Sequence, residues 1–153
     1  MKTKRSDFLG VELDWFAVNS VGSVALMSSA GHGSVPDFVF DHFEAQQLIA
    51  QRLAALTGVS QGGDLIRSSR ALSTIGVLTY NWRHWDGPYR RTEVPSQPAH
   101  LDTLGFRASL RDAFVRFPEL QFQRARRVPN TDASPMIGVN SRRPMKSPNE
   151  TVG

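Results

Sequence analysis

The residues best suited to recognition are aromatic and arginine side chains interleaved in the middle of the chain. In order, they are Tyr80, Trp82, Arg83, Trp85, Tyr89, Arg90 and Arg91. Such side chains can stack on nucleic-acid bases, anchor a protein interface or pack across strands on one face of a sheet. Trp85 precedes Asp86-Gly87 at a predicted loop tip, so we expect it to be the most exposed of the set. The predicted partner-binding residues are Arg83, Trp85, Tyr89 and Arg90.

A second candidate is the loop over residues 28–33, Ser-Ser-Ala-Gly-His-Gly, which precedes a predicted helix. A loop in this position can hold an anion at the helix N-terminus. The loop lacks the third glycine of a dinucleotide fingerprint and the Gly-Lys-Ser/Thr of a phosphate-binding loop. We therefore interpret Gly31 and Gly33 as residues that allow a tight turn between strand and helix.

The sequence carries no motif typical of catalysis or metal binding. The histidines are His32, His42, His84 and His100, with no pair at i and i+4 and no His-Glu-x-x-His motif. There is no Gly-x-Ser-x-Gly elbow. Cysteine is absent, which excludes disulfides, thiol catalysis and cysteine-based zinc sites. We therefore expect no enzymatic activity, no metal and no cofactor.

Charge and hydropathy narrow the expected partners. The whole net charge of +4 comes from residues 121–153, and residues 1–120 have a net charge of zero. A basic tail is weaker support for nucleic-acid binding than a basic stripe on a folded body. The basic N-terminus precedes no apolar segment, and no apolar run reaches the roughly 18 residues of a membrane-spanning helix. A cytoplasmic protein without membrane contact is expected.

Two predicted hairpins would position the aromatic and arginine residues. The first joins strands at residues 14–18 and 24–28 through a turn from Asn19 to Gly22, and both its faces are apolar, as in a sheet interior. The second joins residues 77–82 to residues 89–94 across Asp86-Gly87, a strong hairpin signal. A short last strand is predicted at residues 120–123.

Apolar spacing and capping residues predict the helices. The first helix begins near Ser34 and Pro36 and ends at Thr57, with Gly58 as its left-handed cap. Its apolar stripe is formed by Ala45, Leu48, Ile49, Leu53 and Leu56. A short helix is predicted at residues 64–72. A further helical stripe, ended by Pro118, consists of Phe106, Leu110, Ala113, Phe114 and Phe117.

These elements predict a single α+β domain over residues 1–128. It would contain a small antiparallel sheet built from two hairpins, with two main helices packed on it. Residues 129–153 form a basic tail rich in proline and serine, with few large apolar side chains. Such a composition buries too little surface to offset the entropy of ordering, so we expect a disordered tail.

Two blocks of the sequence resemble a group of small bacterial proteins. Residues 14–36 begin with Asp-Trp and end with a Gly-x-Gly pair and proline, and residues 76–98 carry Gly-Pro-Tyr-x-Arg and Pro-Ser-x-Pro. The chain thereby resembles proteins of the toxin-immunity type, which are encoded beside secreted toxins. The resemblance implies a binding role without catalytic residues. Many immunity proteins against nucleases are acidic, so the basic tail argues against a nuclease target.

The expected function is therefore non-catalytic binding of one protein partner, as by an immunity protein that neutralises a cognate bacterial toxin. The alternative is a small nucleic-acid-associated protein that uses Arg90, Arg91 and the basic tail. The alternative requires binding that weakens steeply as the salt concentration rises. Binding through aromatic anchors depends less on salt.

Overall fold

The computed structural model describes residues 12–30, 33–58, 69–82 and 88–128. Within these ranges the chain forms an α+β fold in which one six-stranded sheet is accompanied by four α-helices. The strands are β1 (Asp14–Asn19), β2 (Val24–Ser28), β3 (Leu78–Trp82), β4 (Tyr89–Glu93), β5 (Val115–Phe117) and β6 (Arg127–Val128). The helices are α1 (Asp37–Asp41), α2 (Phe43–Thr57), α3 (Ser69–Thr74) and α4 (Ala108–Arg111), with a 3-10 helix at Leu101–Leu104.

The sheet is mixed, and its strand order is β5-β1-β2-β3-β4-β6. Both predicted hairpins form, because β1 pairs with β2 and β3 pairs with β4 in antiparallel fashion. The prediction of a wholly antiparallel sheet is wrong: β2 runs parallel to β3, and β1 runs parallel to β5. Helices α1, α2 and α3 lie between β2 and β3 in sequence. A crossover of this kind carries the chain back to the opposite end of the sheet, where β2 began, so the next strand is parallel.

Both faces of the sheet are buried along its centre, as predicted for β1 and β2. On one face, the Trp15 cluster contains Trp15, Met27, Val39, Phe40, Tyr80, Trp82, Tyr89, Phe117 and Phe122. On the other face, the Phe16 cluster contains Phe16, Val18, Leu26, Ile49, Leu53, Leu72, Leu110 and Phe114. Helix α1 thus packs on the first face and α2 on the second. Alternating side chains of β1 divide between the two clusters, as the two-residue period of a strand requires.

The predicted first helix is interrupted at His42, which separates α1 from α2 with φ −123° and ψ 33°. Ile49 and Leu53 are buried, whereas Leu48 is 41% exposed, so the prediction that the apolar stripe packs against the sheet is wrong for Leu48. Leu48 lies at the edge of the apolar stripe, and the sheet covers an arc of the helix that is narrower than the stripe. Gly58 ends α2 with φ +71°, which confirms the predicted left-handed cap.

The C-terminal elements differ most from those predicted. Helix α4 covers four residues, and the chain then becomes strand β5 instead of continuing as a helix to Phe117. Phe114 packs in the Phe16 cluster while Val115 and Phe117 pack in the Trp15 cluster, which is the alternation of a strand. Residues 120–123 are not a strand. The predicted helix at 64–72 overlaps α3, but residues 59–68 lie outside the described ranges, as does the tail at 129–153.

A buried glutamine, Gln46, links α2 to strand β1 at a point just before strand β5 begins. The Oε1 atom of Gln46 accepts a hydrogen bond of 2.8 Å from the Phe16 amide. Its Nε2 atom donates to the carbonyl of Ala113 at 2.7 Å and to that of Phe16 at 3.3 Å. The side-chain amide therefore occupies the place of a strand residue beside β1, ahead of the first β1–β5 pair at Ala17 and Val115.

None of the helices in the described ranges combines the length and apolar character needed to cross a lipid bilayer.

Candidate functional site

The four predicted partner-binding residues have different positions. Arg83 and Trp85 belong to residues 83–87, which lie outside the described ranges. Tyr89 and Arg90 are adjacent in β4, so their side chains point to opposite faces of the sheet. The two residues therefore have separate roles in the structure.

Tyr89 is fully buried in the Trp15 cluster. Its ring contacts those of Trp82 and Trp15, with centroids 5.0 and 5.7 Å away, in edge-to-face geometry. Its hydroxyl donates to the Ser34 carbonyl at 2.8 Å and accepts from Trp15 Nε1 at 3.1 Å. The structure thus places Tyr89 in the core and not on a surface that a partner could reach.

The glycine-rich loop approaches the same core rings. A Cβ atom on Gly33 would lie 2.8 Å from the Tyr89 hydroxyl and 2.9 Å from the Trp82 side chain, closer than carbon atoms pack. Glycine at position 33 therefore allows the loop to lie directly on the aromatic rings, in agreement with a structural role. Gly31 and His32 lie outside the described residues.

Arg90 belongs to a row of polar side chains that crosses five strands, which we call the sheet row. Register pairs Asp14 with Ser28, Ser28 with Asn81, Asn81 with Arg90, and Arg90 with Arg127. Residues directly opposite on neighbouring strands share a face of the sheet. One face therefore presents a carboxylate, a hydroxyl, an amide and two guanidinium groups in line.

The sheet row is the accessible margin of the face that carries the Phe16 cluster. The next row on this face contains Phe16, Leu26 and Thr79, which are all buried. In the sheet row itself, the residues from Asp14 to Arg90 are half-buried and Arg127 is exposed. Polar groups held on strands at the edge of a core can contact another molecule without a rearrangement of the backbone.

The two arginines at one end of the row have no counter-charge in the described part of the chain. The ion pair found there joins Asp102 to Arg111, with the neutral His100 ring beside the same carboxylate, and neither Arg90 nor Arg127 takes part in one. The Nε atom of Arg90 is buried and has no hydrogen-bond partner. A buried donor without a partner costs about 1–3 kcal/mol, and more when the group is charged. Arg90 and Arg127 are thus suited to bind an anionic group.

The segment that precedes Arg127 is held against the second hairpin by two side chains, those of Tyr80 and Arg91. The Tyr80 hydroxyl donates to the Phe122 carbonyl at 3.1 Å and to that of Ala125 at 2.5 Å. Arg91 Nη1 donates to the carbonyls of Phe122 and Gln123, each at 2.8 Å. The Arg91 amide donates to the Arg126 carbonyl at 2.8 Å. We call residues 122–126 the held turn.

This attachment changes where the basic charge lies. Arg124 and Arg126, on the held turn, and Arg127, in β6, are all exposed on the folded body beside β4. Residues 1–128 contain 15 basic and 12 acidic residues and so have a net charge of +3. The expectation that the tail alone carries the basic excess is therefore wrong. Strand β6, which places Arg127 on the folded body, has two residues and is too short to be recognised from a sequence pattern.

Burial affects the ionisation of Tyr80, one of the two residues that hold the turn. Burial raises the pKa of Tyr80 from its ordinary value of 10.0 to about 12, and the neighbouring Arg91 guanidinium offsets part of the rise. The folded protein therefore holds the Tyr80 proton more tightly than the unfolded chain does.

We expect the Tyr80 contribution to stability to be complete below pH 10 and to be lost as the pH rises toward 12. The difference in free energy of unfolding between wild type and Tyr80→Phe should shrink over this range. Denaturant titrations at several alkaline pH values, with tyrosinate absorbance as a second signal, measure it. A difference that stays constant with pH would show that Tyr80 ionises at the same pH in both states.

The histidines in the described ranges have structural contacts. His42 stacks on Phe38, with ring centroids 4.0 Å apart, and its Nδ1 atom lies 2.9 Å from the Phe38 carbonyl. His100 Nδ1 accepts a hydrogen bond from the Asp102 amide at 3.0 Å and so caps the 3-10 helix. His32 and His84 lie outside the described residues. The described ranges contain no group of three or more histidine or acidic side chains placed to hold a metal ion.

Comparison with protein-family models, with curated proteins and with solved structures gives no match for this chain. A function is therefore inferred from the sheet row and from the sequence patterns.

Proposed function

We propose that this chain is a non-catalytic protein that binds one protein partner through the face that carries the sheet row. We further propose that the partner is a bacterial toxin, which the chain neutralises in the cytoplasm. The sequence resemblance to toxin-immunity proteins supports the second part. The observation that carries the first part is the pair of arginines, Arg90 and Arg127, which stand opposite each other on neighbouring strands without a described counter-charge.

The composition of the row favours binding over catalysis. Its hydroxyl, amide, carboxylate and guanidinium groups can form hydrogen bonds and ion pairs with a partner surface. Ser28 has Asp14 and Asn81 as its row neighbours, and neither is the imidazole or amine that commonly activates a hydroxyl nucleophile. Arginine is enriched at protein interfaces, where its planar group forms several hydrogen bonds in fixed directions.

A pull-down from the native cell tests the proposal. The full chain is used as bait at low and at moderate salt concentration, and the eluted proteins and nucleic acids are both identified. We expect one protein, encoded beside this chain, to be recovered at both salt concentrations. Co-expression should then restore growth of cells that produce that protein. Recovery of nucleic acid alone, lost at the higher salt concentration, would contradict the proposal.

Trp85→Ala is included in the same experiment because the sequence predicts an exposed anchor at that position. We expect this variant to recover less of the partner. Equal recovery would leave a protein-binding function in place but would move the contact away from the tip of the second hairpin.

A nucleic-acid-associated function is the second candidate. It is favoured by the position of Arg124, Arg126 and Arg127, which lie on the folded body next to β4. Clustered arginines on a rigid surface match phosphate groups better than a basic tail does. The number of phosphate contacts would appear as the slope of the binding constant against salt concentration.

A further inference from the structure

We infer that Arg90 and Arg127 form a two-arginine site for a carboxylate side chain of the protein partner. The inference rests on the proposed function, because it names the chemistry of the partner surface that the sheet row would meet.

The register of the sheet fixes the relation between the two side chains. Arg90 in β4 and Arg127 in β6 are direct partners in an antiparallel pair. Side chains in this relation point to the same face, with Cβ atoms about 5 Å apart. Two guanidinium groups that leave the sheet from neighbouring strands can both donate hydrogen bonds to one carboxylate, one of them as a bidentate pair.

The charges of the pair are unfavourable unless an anion is present. Like charges directly opposite on two strands destabilise the pairing. Neither arginine has an acidic partner within the described ranges, and the buried Nε atom of Arg90 lacks an acceptor. A carboxylate between them would remove the repulsion and compensate a charge that is already partly desolvated. Binding would therefore lose less hydration energy than at two fully exposed arginines.

The rest of the row favours a protein carboxylate over a nucleic-acid backbone. Asp14 lies in the same row, four strand spacings and about 19 Å along the sheet from Arg127. A phosphate backbone that follows the row would bring its repeated negative charges toward that carboxylate. A protein surface can place an acidic residue at the Arg90–Arg127 end and a neutral or basic one at the Asp14 end. The mixed charge of the row thus suits a protein surface.

Fluorescence anisotropy with three short probes tests the site in the full chain. The probes are a labelled glycine-serine peptide with two adjacent glutamates, the same peptide with glutamines, and a labelled twelve-nucleotide thymidine strand. The variants are Arg90→Gln, Arg127→Gln and Arg90→Lys. Arg124→Gln is the matched control, because Arg124 is exposed on the held turn, outside the row, and its loss changes the net charge equally.

We expect the glutamate peptide to bind more tightly than the glutamine peptide or the thymidine strand. Arg90→Gln and Arg127→Gln should each weaken glutamate-peptide binding about tenfold, and Arg124→Gln less than about twofold. Arg90→Lys should restore binding only in part, because an ammonium group cannot form the paired hydrogen bonds of a guanidinium. Thermal melts check that each variant is folded. Because Arg127 is exposed, Arg127→Gln should disturb folding less than Arg90→Gln does.

Two results of the anisotropy experiment would overturn the inference. An equal loss in Arg124→Gln would show that general positive charge attracts the peptide. Tighter binding of the thymidine strand, weakened by Arg90→Gln, would assign the pair to nucleic acid. The inference and the proposed function fail separately: a native partner captured equally well by Arg90→Gln removes the site alone. Selective binding of the glutamate peptide without any native protein partner removes the function alone.

Discussion

Replacing Gln46 by leucine is expected to lower the free energy of unfolding by about 2–6 kcal/mol. The change leaves the buried Phe16 amide and the Ala113 carbonyl without their side-chain partners. Each buried group that loses its hydrogen bond costs about 1–3 kcal/mol, and Gln46 is itself buried. Equilibrium unfolding in urea, followed by circular dichroism and by tryptophan fluorescence, measures the loss.

Gln47→Leu is the matched control for this prediction. Gln47 is the next residue of α2, is exposed, and undergoes the same chemical change. Its substitution should change the free energy of unfolding by less than about 0.5 kcal/mol. Similar losses in the two variants would show that Gln46 does not replace a strand residue beside β1.

Gln46→Glu separates the acceptor role of Gln46 from its donor role. A glutamate still offers an oxygen to the Phe16 amide, but its charged form cannot donate to the Ala113 carbonyl. Burial favours the neutral acid and so raises the pKa of such a carboxyl above its unfolded value. The variant should therefore gain stability relative to wild type as the pH falls. A difference that does not depend on pH would contradict this account of the site.

Leu53→Ala is expected to cost about 2–5 kcal/mol, whereas Leu48→Ala should cost less than about 1 kcal/mol. The two leucines lie on the same helix, five residues apart, and differ in exposure, which is 0% for Leu53 and 41% for Leu48. The intrinsic helix preference changes equally in both variants, so the difference between them reports burial alone. Urea unfolding of the two variants side by side provides the measurement, and equal losses would contradict the placement of α2.

The strands of both hairpins could be predicted to within one or two residues at each end. Their signals are local, since apolar alternation, Asn19 and Gly22 in one turn and Asp86-Gly87 in the other lie close together in sequence. The parallel pairing of β2 with β3 could not be predicted in the same way. It depends on the path of a crossover that contains three helices, and no short pattern records that path.

Helix periodicity was informative over α2 and misleading after Phe106. Apolar residues three and four apart are typical of a helix, yet Phe114 and Phe117 also fit a turn that leads into a short strand. Strands of three and two residues, such as β5 and β6, contain too few alternations to be recognised. The break at His42 likewise has no proline or glycine beside it that would mark the end of α1.

The candidate site could be predicted only in part. Arg90 was identified because arginines and aromatic residues cluster around the second hairpin. The same clustering predicts that Tyr89 lies on this surface, but its alternation with Arg90 along β4 places it with Trp82 in the core. The sequence does not single out Asp14 or Arg127, because a row across the sheet joins residues more than a hundred positions apart. No spacing within the sequence indicates such a relation.

The held turn is attached through main-chain atoms, so its attachment does not depend on which side chains the turn carries. Its hydrogen bonds from Tyr80 and Arg91 end on main-chain carbonyls of residues 122, 123, 125 and 126, and every amino acid supplies such an oxygen. Exposed positions on the turn, such as Arg124 and Arg126, can therefore exchange one residue type for another while the segment keeps its place. Selection for a new binding partner could thus change exposed side chains next to β4 while the backbone there stays in place. Single substitutions could therefore reverse the charge of the held turn during evolution without a change of fold.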